Sequence, residues 1–173
     1  MSHFFAYINR MRFINRWALM RNSYTENIQE HSHQVAVLAH ALAVIRNRCF
    51  SGCVDEGAVA AAALYHDASE ILTGDLPTPI KYHNAEIMSA YHAVEDLAVQ
   101  KLLGMLPPEL RATYADELAE DKDGDIYPLV KAADKLSAYI KCIEERKAGN
   151  NEFLSAEAQT RAALEASPLP EVQ

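Results

Sequence analysis

Helical periodicity is the feature that most constrains this sequence, because it recurs along nearly all of the 173 residues. Apolar residues return every three or four positions. Strict alternation never persists, and no Asn-Gly or Asp-Gly pair joins two β-branched runs. The sequence therefore predicts an all-α fold, and we expect residues 1–173 to form a single domain. One helix is predicted within the first 22 residues, six more at about 27–48, 55–72, 84–103, 109–120, 128–148 and 153–166, a proline-containing loop at 73–79, and a frayed C-terminal tail.

The charge balance and the cysteine count exclude several classes of protein. The chain has 24 acidic and 16 basic residues, a net charge of −8, which disfavours binding to duplex nucleic acid. The sequence contains no run of about 18 apolar residues, so it does not predict a membrane span. Three cysteines cannot all pair and nothing resembles a signal peptide, so we expect a cytoplasmic protein. The first 22 residues contain four arginines and no acid, as a transit peptide would, but their helical apolar spacing and scarcity of serine favour a packed helix.

The second predicted helix carries three histidines, of which one falls on its apolar face. His31 lies four residues before Val35 and seven before Leu38. His33 and His40 fall about 160° and 180° around the helix from His31, so we expect both to face solvent. Taken alone, His31 is better explained as a core histidine bonded to a backbone carbonyl than as a ligand.

The third predicted helix places three ionisable residues at the end of an alanine-rich apolar stretch. His66 lies on the same helix face as Ala63, and Asp67 is adjacent to it in the sequence. Glu70 lies one turn further along, on the same face as His66. Burying these groups without partners costs several kcal/mol, which a bound metal ion would offset. A polar cluster solvated at a helix end is the alternative.

The sixth predicted helix adds Asp134, which lies at the edge of the apolar stripe and alone would be an ordinary surface carboxylate. Together, His31, His66, Asp67 and Asp134 form a set of two imidazoles and two carboxylates. Such a set suits manganese, cobalt, iron or zinc, and magnesium less well. Four protein ligands leave positions open on an octahedral ion for water and a substrate oxygen.

Longer stretches of the sequence resemble a known family. Glu30-His31-Ser32, Tyr65-His66-Asp67 and Ala133-Asp134 resemble the HD-domain phosphohydrolase superfamily. The fourteen-residue run from His66 to Pro79 resembles the bacterial 5′-deoxynucleotidases more specifically. Further similarity is found at Arg16-Trp17, Arg21-Asn22, Thr25-Glu26-Asn27 and Ala148 to Phe153.

The resemblance implies a compact multi-helix HD-domain fold with a metal site between core helices. It implies hydrolysis of deoxyribonucleoside 5′-monophosphates to deoxynucleoside and phosphate, by a homodimer that holds one divalent ion per chain, cobalt, manganese or another transition metal. Members of the family tend to be longer at the C-terminus, so we expect any difference to affect dimer packing and not the chemistry.

The resemblance also assigns roles to particular residues. The metal ligands are His31, His66, Asp67 and Asp134. The catalytic residues are Arg16, which orients the phosphate, Asp67, and Glu70, which assists the attacking water. The substrate contacts are Arg16, Trp17, Asp67, Asp75, Leu76, Pro77, Thr78 and Asp134.

Two other readings of the sequence stay open at this stage. HD domains elsewhere act on nucleoside triphosphates, cyclic dinucleotides or alarmones, which would release products other than inorganic phosphate. A helical interaction module with a purely structural metal would be stabilised by the ion and would hydrolyse no nucleotide. Trp17 also has two readings, as a core aromatic or as a stacking face for the base.

Overall fold

A computed structural model describes residues 3–81, 83–118 and 124–173, and within these ranges the chain forms helices and no strand. The all-α prediction is confirmed. The α-helices, in chain order, are α1 (Phe4–Ile8), α2 (Ile28–Cys49), α3 (Glu56–Tyr65), α4 (Glu70–Thr73), α5 (Thr78–Lys81), α6 (Ala85–Gly104), α7 (Pro108–Leu118), α8 (Ile126–Lys147) and α9 (Leu154–Glu165). Short 3-10 helices span Asn9–Phe13, Asn151–Phe153 and Pro170–Val172.

The long helices begin and end at residues whose side chains or backbone favour a boundary. The Asn27 side chain accepts hydrogen bonds from the backbone amides of Gln29 and Glu30, which caps α2. Asn84 caps α6 in the same way. Gly149 follows α8 with φ of 87°, a conformation that glycine adopts without strain.

The largest apolar core lies between α2, α3 and α8. It contains Val35 and Leu42 from α2, Val59 from α3, and Leu129 and Ala133 from α8, all buried. A second cluster joins α1 to α6 and α7, and a third joins the first 3-10 helix to the beginning of α2 and to α4. His31 and Asp134 belong to two of the helices that enclose the largest core, so the packing of that core fixes their relative positions.

The predicted third helix differs from the structure in an informative way. It is interrupted after Tyr65, and the chain continues as a turn at 66–69 and the short helix α4. The His66 side chain bonds the Ala63 carbonyl through Nδ1 at 2.8 Å. Beyond this point the backbone amides of Ala68 and Glu70 bond to carbonyls three residues back, which is the tighter 3-10 winding.

Other differences lie at the two ends of the chain and in the loop. The first predicted helix is short, since α1 gives way to a 3-10 turn and then to an irregular segment at 14–27. The loop at 73–79 ends in α5. The prediction of a frayed tail is wrong, because Glu171 is buried and accepts a 2.6 Å hydrogen bond from Arg46 Nε. Leu169 and Val172 also pack against the largest core.

Candidate metal centre

Three of the four predicted metal ligands present donor atoms to one point between α2, the turn after α3, and α8. One ligand atom each from His31, His66 and Asp134 lies within 4.8 Å of the others. His31 Nε2 is 3.1 Å from Asp134 Oδ1, and the two imidazole rings are 5.3 Å apart. The fourth predicted ligand, Asp67, places Oδ2 at 3.2 Å from His66 Nε2 and at 3.6 Å from His31 Nε2. The sequence therefore predicted which residues the fold brings together.

The hydrogen bonds at the far side of each ring fix the tautomer. His66 Nδ1 donates to the Ala63 carbonyl. His31 Nδ1 lies 3.1 Å from Ser137 Oγ, and the Ser137 hydroxyl in turn donates to Gln34 Oε1 at 2.7 Å, so Nδ1 of His31 is the donor. Both Nε2 atoms therefore point into the cluster, and in the neutral form of each ring Nε2 carries the free lone pair that can bind a metal ion.

The buried state of these nitrogens shows that the residues fit a metal ion. Both Nε2 atoms are fully buried and have no hydrogen-bond partner, although Asp134 Oδ1 lies 3.1 Å from that of His31 and Asp67 Oδ2 lies 3.2 Å from that of His66. An unpaired buried polar atom costs free energy, and two facing the same point call for a shared partner. Imidazole nitrogens beside carboxylate oxygens are a donor set for a divalent transition metal.

The electrostatics of the cluster keep its carboxyl groups ionised. Burial opposes ionisation, but His66, His31 and Arg16 outweigh it and hold the pKa of Asp67 well below its usual range. The two histidines do the same for Asp134, so its pKa is also low. Both groups are thus available as anionic ligands at neutral pH.

Glu70 has the opposite character, although it lies only one turn beyond the cluster. Its side chain is buried in α4, and Oε2 has no hydrogen-bond partner. Burial together with the negative charges of Asp67 and Asp75 raises the pKa of Glu70 to about 10. The group therefore tends to hold a proton at neutral pH, beside carboxylates that do not.

Arg16 reaches the cluster from the irregular segment that precedes α2. Its Nη1 lies 3.3 Å from Asp67 Oδ2, and its Nε donates to Glu26 Oε2 at 3.1 Å. The same Glu26 oxygen accepts a 3.0 Å hydrogen bond from Trp17 Nε1. The Trp17 ring is half-buried and packs against Phe153 with centroids 5.2 Å apart, so it is held in place by the fold and keeps one part accessible.

The predicted substrate loop lies beside this arrangement. Asp75 is half-buried, and burial together with the charge of Asp67 raises its pKa, while Arg16 and the Trp17 backbone amide partly offset the shift. Leu76 and Pro77 are half-buried, and Thr78 is exposed at the start of α5. The charges of Arg16 and Asp67 both act on the Asp75 carboxyl group, so the beginning of this loop lies close to the site.

Three residues that support the site through hydrogen bonds were not among the predicted site residues. They are Glu26, Ser137 and Gln34. Gln34 lies three residues after His31, and Ser137 lies three after Asp134. Helical spacing from a ligand therefore signalled both, because residues three apart are neighbours on a helix surface.

Comparison with solved structures identifies the fold. An HD-domain phosphohydrolase from Listeria innocua superposes with a TM-score of 0.87 at 23% identity, over 98% of this chain and 82% of that one. The cyanophage S-2L HD phosphohydrolase DatZ, solved bound to dA and one catalytic zinc ion, gives 0.61 at 23% identity, over 96% and 88% of the two chains. The fold is that of the HD-domain phosphohydrolases.

Sequence comparison gives the family within that class. The chain belongs to the 5′-deoxynucleotidase YfbR-like family, whose model matches residues 3–173. The 5′-deoxynucleotidase YfbR of Shigella flexneri is 57% identical over 166 residues, which cover 95% of this chain and 83% of that protein. The protein of the same name from Escherichia coli is 56% identical over the same shares. The resemblance that the motifs indicated is confirmed.

Proposed function

We propose that this protein hydrolyses deoxyribonucleoside 5′-monophosphates to deoxynucleoside and inorganic phosphate, with one divalent transition-metal ion held by His31, His66, Asp67 and Asp134. The observation that carries the proposal is the pair of buried, unpartnered Nε2 atoms of His31 and His66 facing the anionic Asp67 and Asp134. The names of the relatives at 56–57% identity supply the reaction and the substrate class.

The metal ion accounts for one part of the chemistry. A divalent ion there supplies Lewis-acid stabilisation of the phosphoryl charge and a water of lowered pKa. Arg16, whose Nη1 lies 3.3 Å from Asp67 Oδ2, would bind the substrate phosphate beside the ligands, because its planar guanidinium offers donors that match two phosphate oxygens. Its charge offsets the repulsion between a phosphate dianion and the attacking nucleophile.

Glu70 handles protons in this mechanism. Burial and the negative charges of Asp67 and Asp75 raise the pKa of Glu70, so this carboxyl group can exchange a proton with the attacking water near neutral pH. Trp17 offers a flat face for the base, and such stacking tolerates any base. The Asp75, Leu76, Pro77 and Thr78 loop faces the sugar, where Pro77 and the following Pro79 stiffen a wall against a 2′-hydroxyl.

The proposal extends to the setting of the enzyme. Residues 1–173 act as a single domain, which is supported by the packing of α2, α3 and α8 around one core that carries the metal centre. The protein works as a homodimer in the cytoplasm, as the family resemblance implies. Within the described residues, none of the helices combines the length and apolar character that crossing a membrane requires.

The test compares phosphate release from dAMP and AMP side by side, with added manganese or cobalt and again with a chelator. Release that depends on metal and is much faster from dAMP supports the reaction, the metal and the sugar selectivity together. Equal release from both nucleotides removes the proposed role of the Asp75 to Thr78 loop. Absence of release, or formation of pyrophosphate from dATP instead, contradicts the proposed substrate class.

A further inference from the structure

Glu26 is a buried carboxylate that none of the roles above uses. Its residue is only 8% exposed, and a single oxygen, Oε2, accepts hydrogen bonds from both Arg16 Nε and Trp17 Nε1. The two donors belong to adjacent residues of an irregular segment, so one acceptor fixes two side chains at once. A buried carboxylate with charge-assisted partners is costly to rearrange.

The backbone around Glu26 holds it in register with Arg16. The Arg16 amide donates to the Glu26 carbonyl at 2.9 Å, and the Ile28 amide donates to the Ile14 carbonyl at 3.0 Å. Between these two bonds the chain forms an isolated antiparallel bridge from Asn15 to Asn27. Because Ile28 is the first residue of α2, which carries His31, Glu26 connects the irregular segment to the helix of a metal ligand.

Trp17 shows that this local conformation is imposed. Its φ is 60°, in the left-handed region that bulky side chains rarely adopt. The contact with Glu26, the packing against Phe153 and a hydrogen bond from Asn22 Nδ2 to the Trp17 carbonyl hold it there. Backbone strain of this kind persists where surrounding contacts over-determine the conformation.

The guanidinium of Arg16 is oriented by partners on two of its nitrogens. Glu26 takes Nε, and Asp67, itself part of the metal cluster, takes Nη1. Nη2 has no hydrogen-bond partner among the described residues and is not one of the fully buried atoms, so its two N–H groups stay available. Glu26 is thus the hydrogen-bond partner of Arg16 that lies outside the metal cluster.

We propose that Glu26 is a positioning residue, which aims the free edge of Arg16 at the substrate phosphate and holds the Trp17 ring at the nucleoside side of the site. This inference rests on the proposed function only for the part that Arg16 and Trp17 play toward substrate. The hydrogen bonds themselves can be tested without any substrate.

The variants are Glu26→Ala, which removes the acceptor, and Glu26→Gln, whose amide oxygen can still accept both bonds. Glu30→Ala is the matched control, because Glu30 is an exposed carboxylate four residues further along. Melting temperatures and circular dichroism with added manganese check that each variant folds. Manganese affinity should be unchanged in all three, because Glu26 contacts no proposed ligand directly and is linked to Asp67 only through Arg16.

The substrate-free measurement uses tryptophan fluorescence. Trp17 is the only tryptophan, so the emission spectrum reports on this ring alone. We expect Glu26→Ala to shift the emission to the red and to increase quenching by acrylamide, while Glu26→Gln and Glu30→Ala stay close to the wild type. An unchanged spectrum and unchanged quenching in Glu26→Ala would overturn the proposal that Glu26 fixes the ring.

The kinetic measurement is a double-mutant cycle with Arg16. Glu26→Ala should lower kcat for dAMP about tenfold to a hundredfold, with partial rescue in Glu26→Gln. In an Arg16→Ala background the same change should have almost no further effect, since a positioning residue acts through its partner. An equal loss in both backgrounds would show that Glu26 does not act through Arg16. If the wild type releases no phosphate from dAMP, the proposed function fails. The fluorescence measurement still tests separately whether Glu26 fixes the Trp17 ring.

Discussion

The two halves of the site are built by different means. The half proposed to hold the metal, called the metal half, sits on α2, α8 and the turn after α3, where a packed apolar core fixes the backbone and the ligands need only point inward. The half proposed to bind the substrate phosphate, called the phosphate half, sits on the irregular segment at 14–27, which has no helix to hold Arg16 and Trp17. That segment is instead held by buried carboxylates that each accept several hydrogen bonds. A site can therefore have one half fixed by apolar packing and one fixed by charge.

The largest expected effect comes from the metal half. His31→Ala or His66→Ala should lower phosphate release from dAMP by about a thousandfold, because several kcal/mol of transition-state stabilisation depend on the ion. The measurement is the initial rate with added manganese, together with the metal content per chain. His33→Ala is the matched control, since His33 is exposed on the same helix and should leave both values unchanged. Full activity in both ligand variants would contradict the proposed centre.

This half was predictable from the sequence because helical geometry is local. A rotation of about 100° per residue separates His31 from His33 and His40, and the structure buries the first and exposes the other two. The same arithmetic fails at His66, where the helix gives way to a tighter turn. The bond from His66 Nδ1 to the Ala63 carbonyl, which competes with the helical pattern, was not readable from spacing.

The next effect concerns the phosphate half. Arg16→Ala should lower kcat/KM for dAMP about a hundredfold, since a hydrogen bond to a charged group is worth about 1.5–3 kcal/mol and the guanidinium makes more than one. Arg16→Lys should recover little, because lysine lacks the planar fork. Arg12→Ala, at an exposed position of the preceding 3-10 helix, provides the comparison and should behave as the wild type. Retained activity in Arg16→Ala would leave the phosphate without its proposed partner.

The connections of this half could not be predicted from local patterns. Arg16 and Trp17 were identified by resemblance. Their shared partner Glu26 lies ten and nine residues further along the chain, and an isolated β-bridge that the apolar periodicity does not predict brings the two stretches together. The strained φ of Trp17 costs about 1–3 kcal/mol and is invisible in sequence. The prediction of a frayed C-terminal tail was wrong for the same reason, because Glu171 forms its hydrogen bond with Arg46, which lies 125 residues away in the sequence.

A smaller effect is expected from the hydrogen bond behind His31. Ser137→Ala removes the acceptor of the His31 Nδ1 proton, so the ring loses its fixed tautomer and orientation. We expect metal affinity to fall about tenfold, the lower end of what such outer partners contribute. Titration with manganese measures it, and Ser155→Ala, an exposed serine on α9, is the control. If affinity is unchanged, the hydroxyl does not orient the ring.

The buried pair Lys141 and Glu145 supports the irregular segment from beneath. The Ser23 amide donates to both oxygens of Glu145 at 3.1 and 2.9 Å, and Asn150 Nδ2 donates at 2.8 Å. Lys141 pairs with Glu145, donates to the Tyr24 carbonyl at 2.8 Å, and lies over the Tyr24 ring. This pair therefore fixes residues 23–24 on α8, only two positions before Glu26.

The smallest effect is on stability, and it depends on pH. Burial opposes ionisation of Glu145, but hydrogen bonds from Lys141, Asn150 and Ser23 outweigh it and lower the pKa to about 2. A depressed carboxyl pKa stabilises the folded state above the unfolded value of about 4.3, and this contribution is lost as pH falls from there towards 2. Glu145→Gln should lower the free energy of unfolding at pH 7 by about 1–2 kcal/mol, because the charge is lost while an acceptor remains. Urea unfolding at pH 7, 4.5 and 2.5 should show the difference between wild type and variant shrinking with acid. A difference that is constant across this range would mean that the carboxylate charge does not hold the segment, and that the phosphate half is fixed by hydrogen bonds that any neutral acceptor could provide.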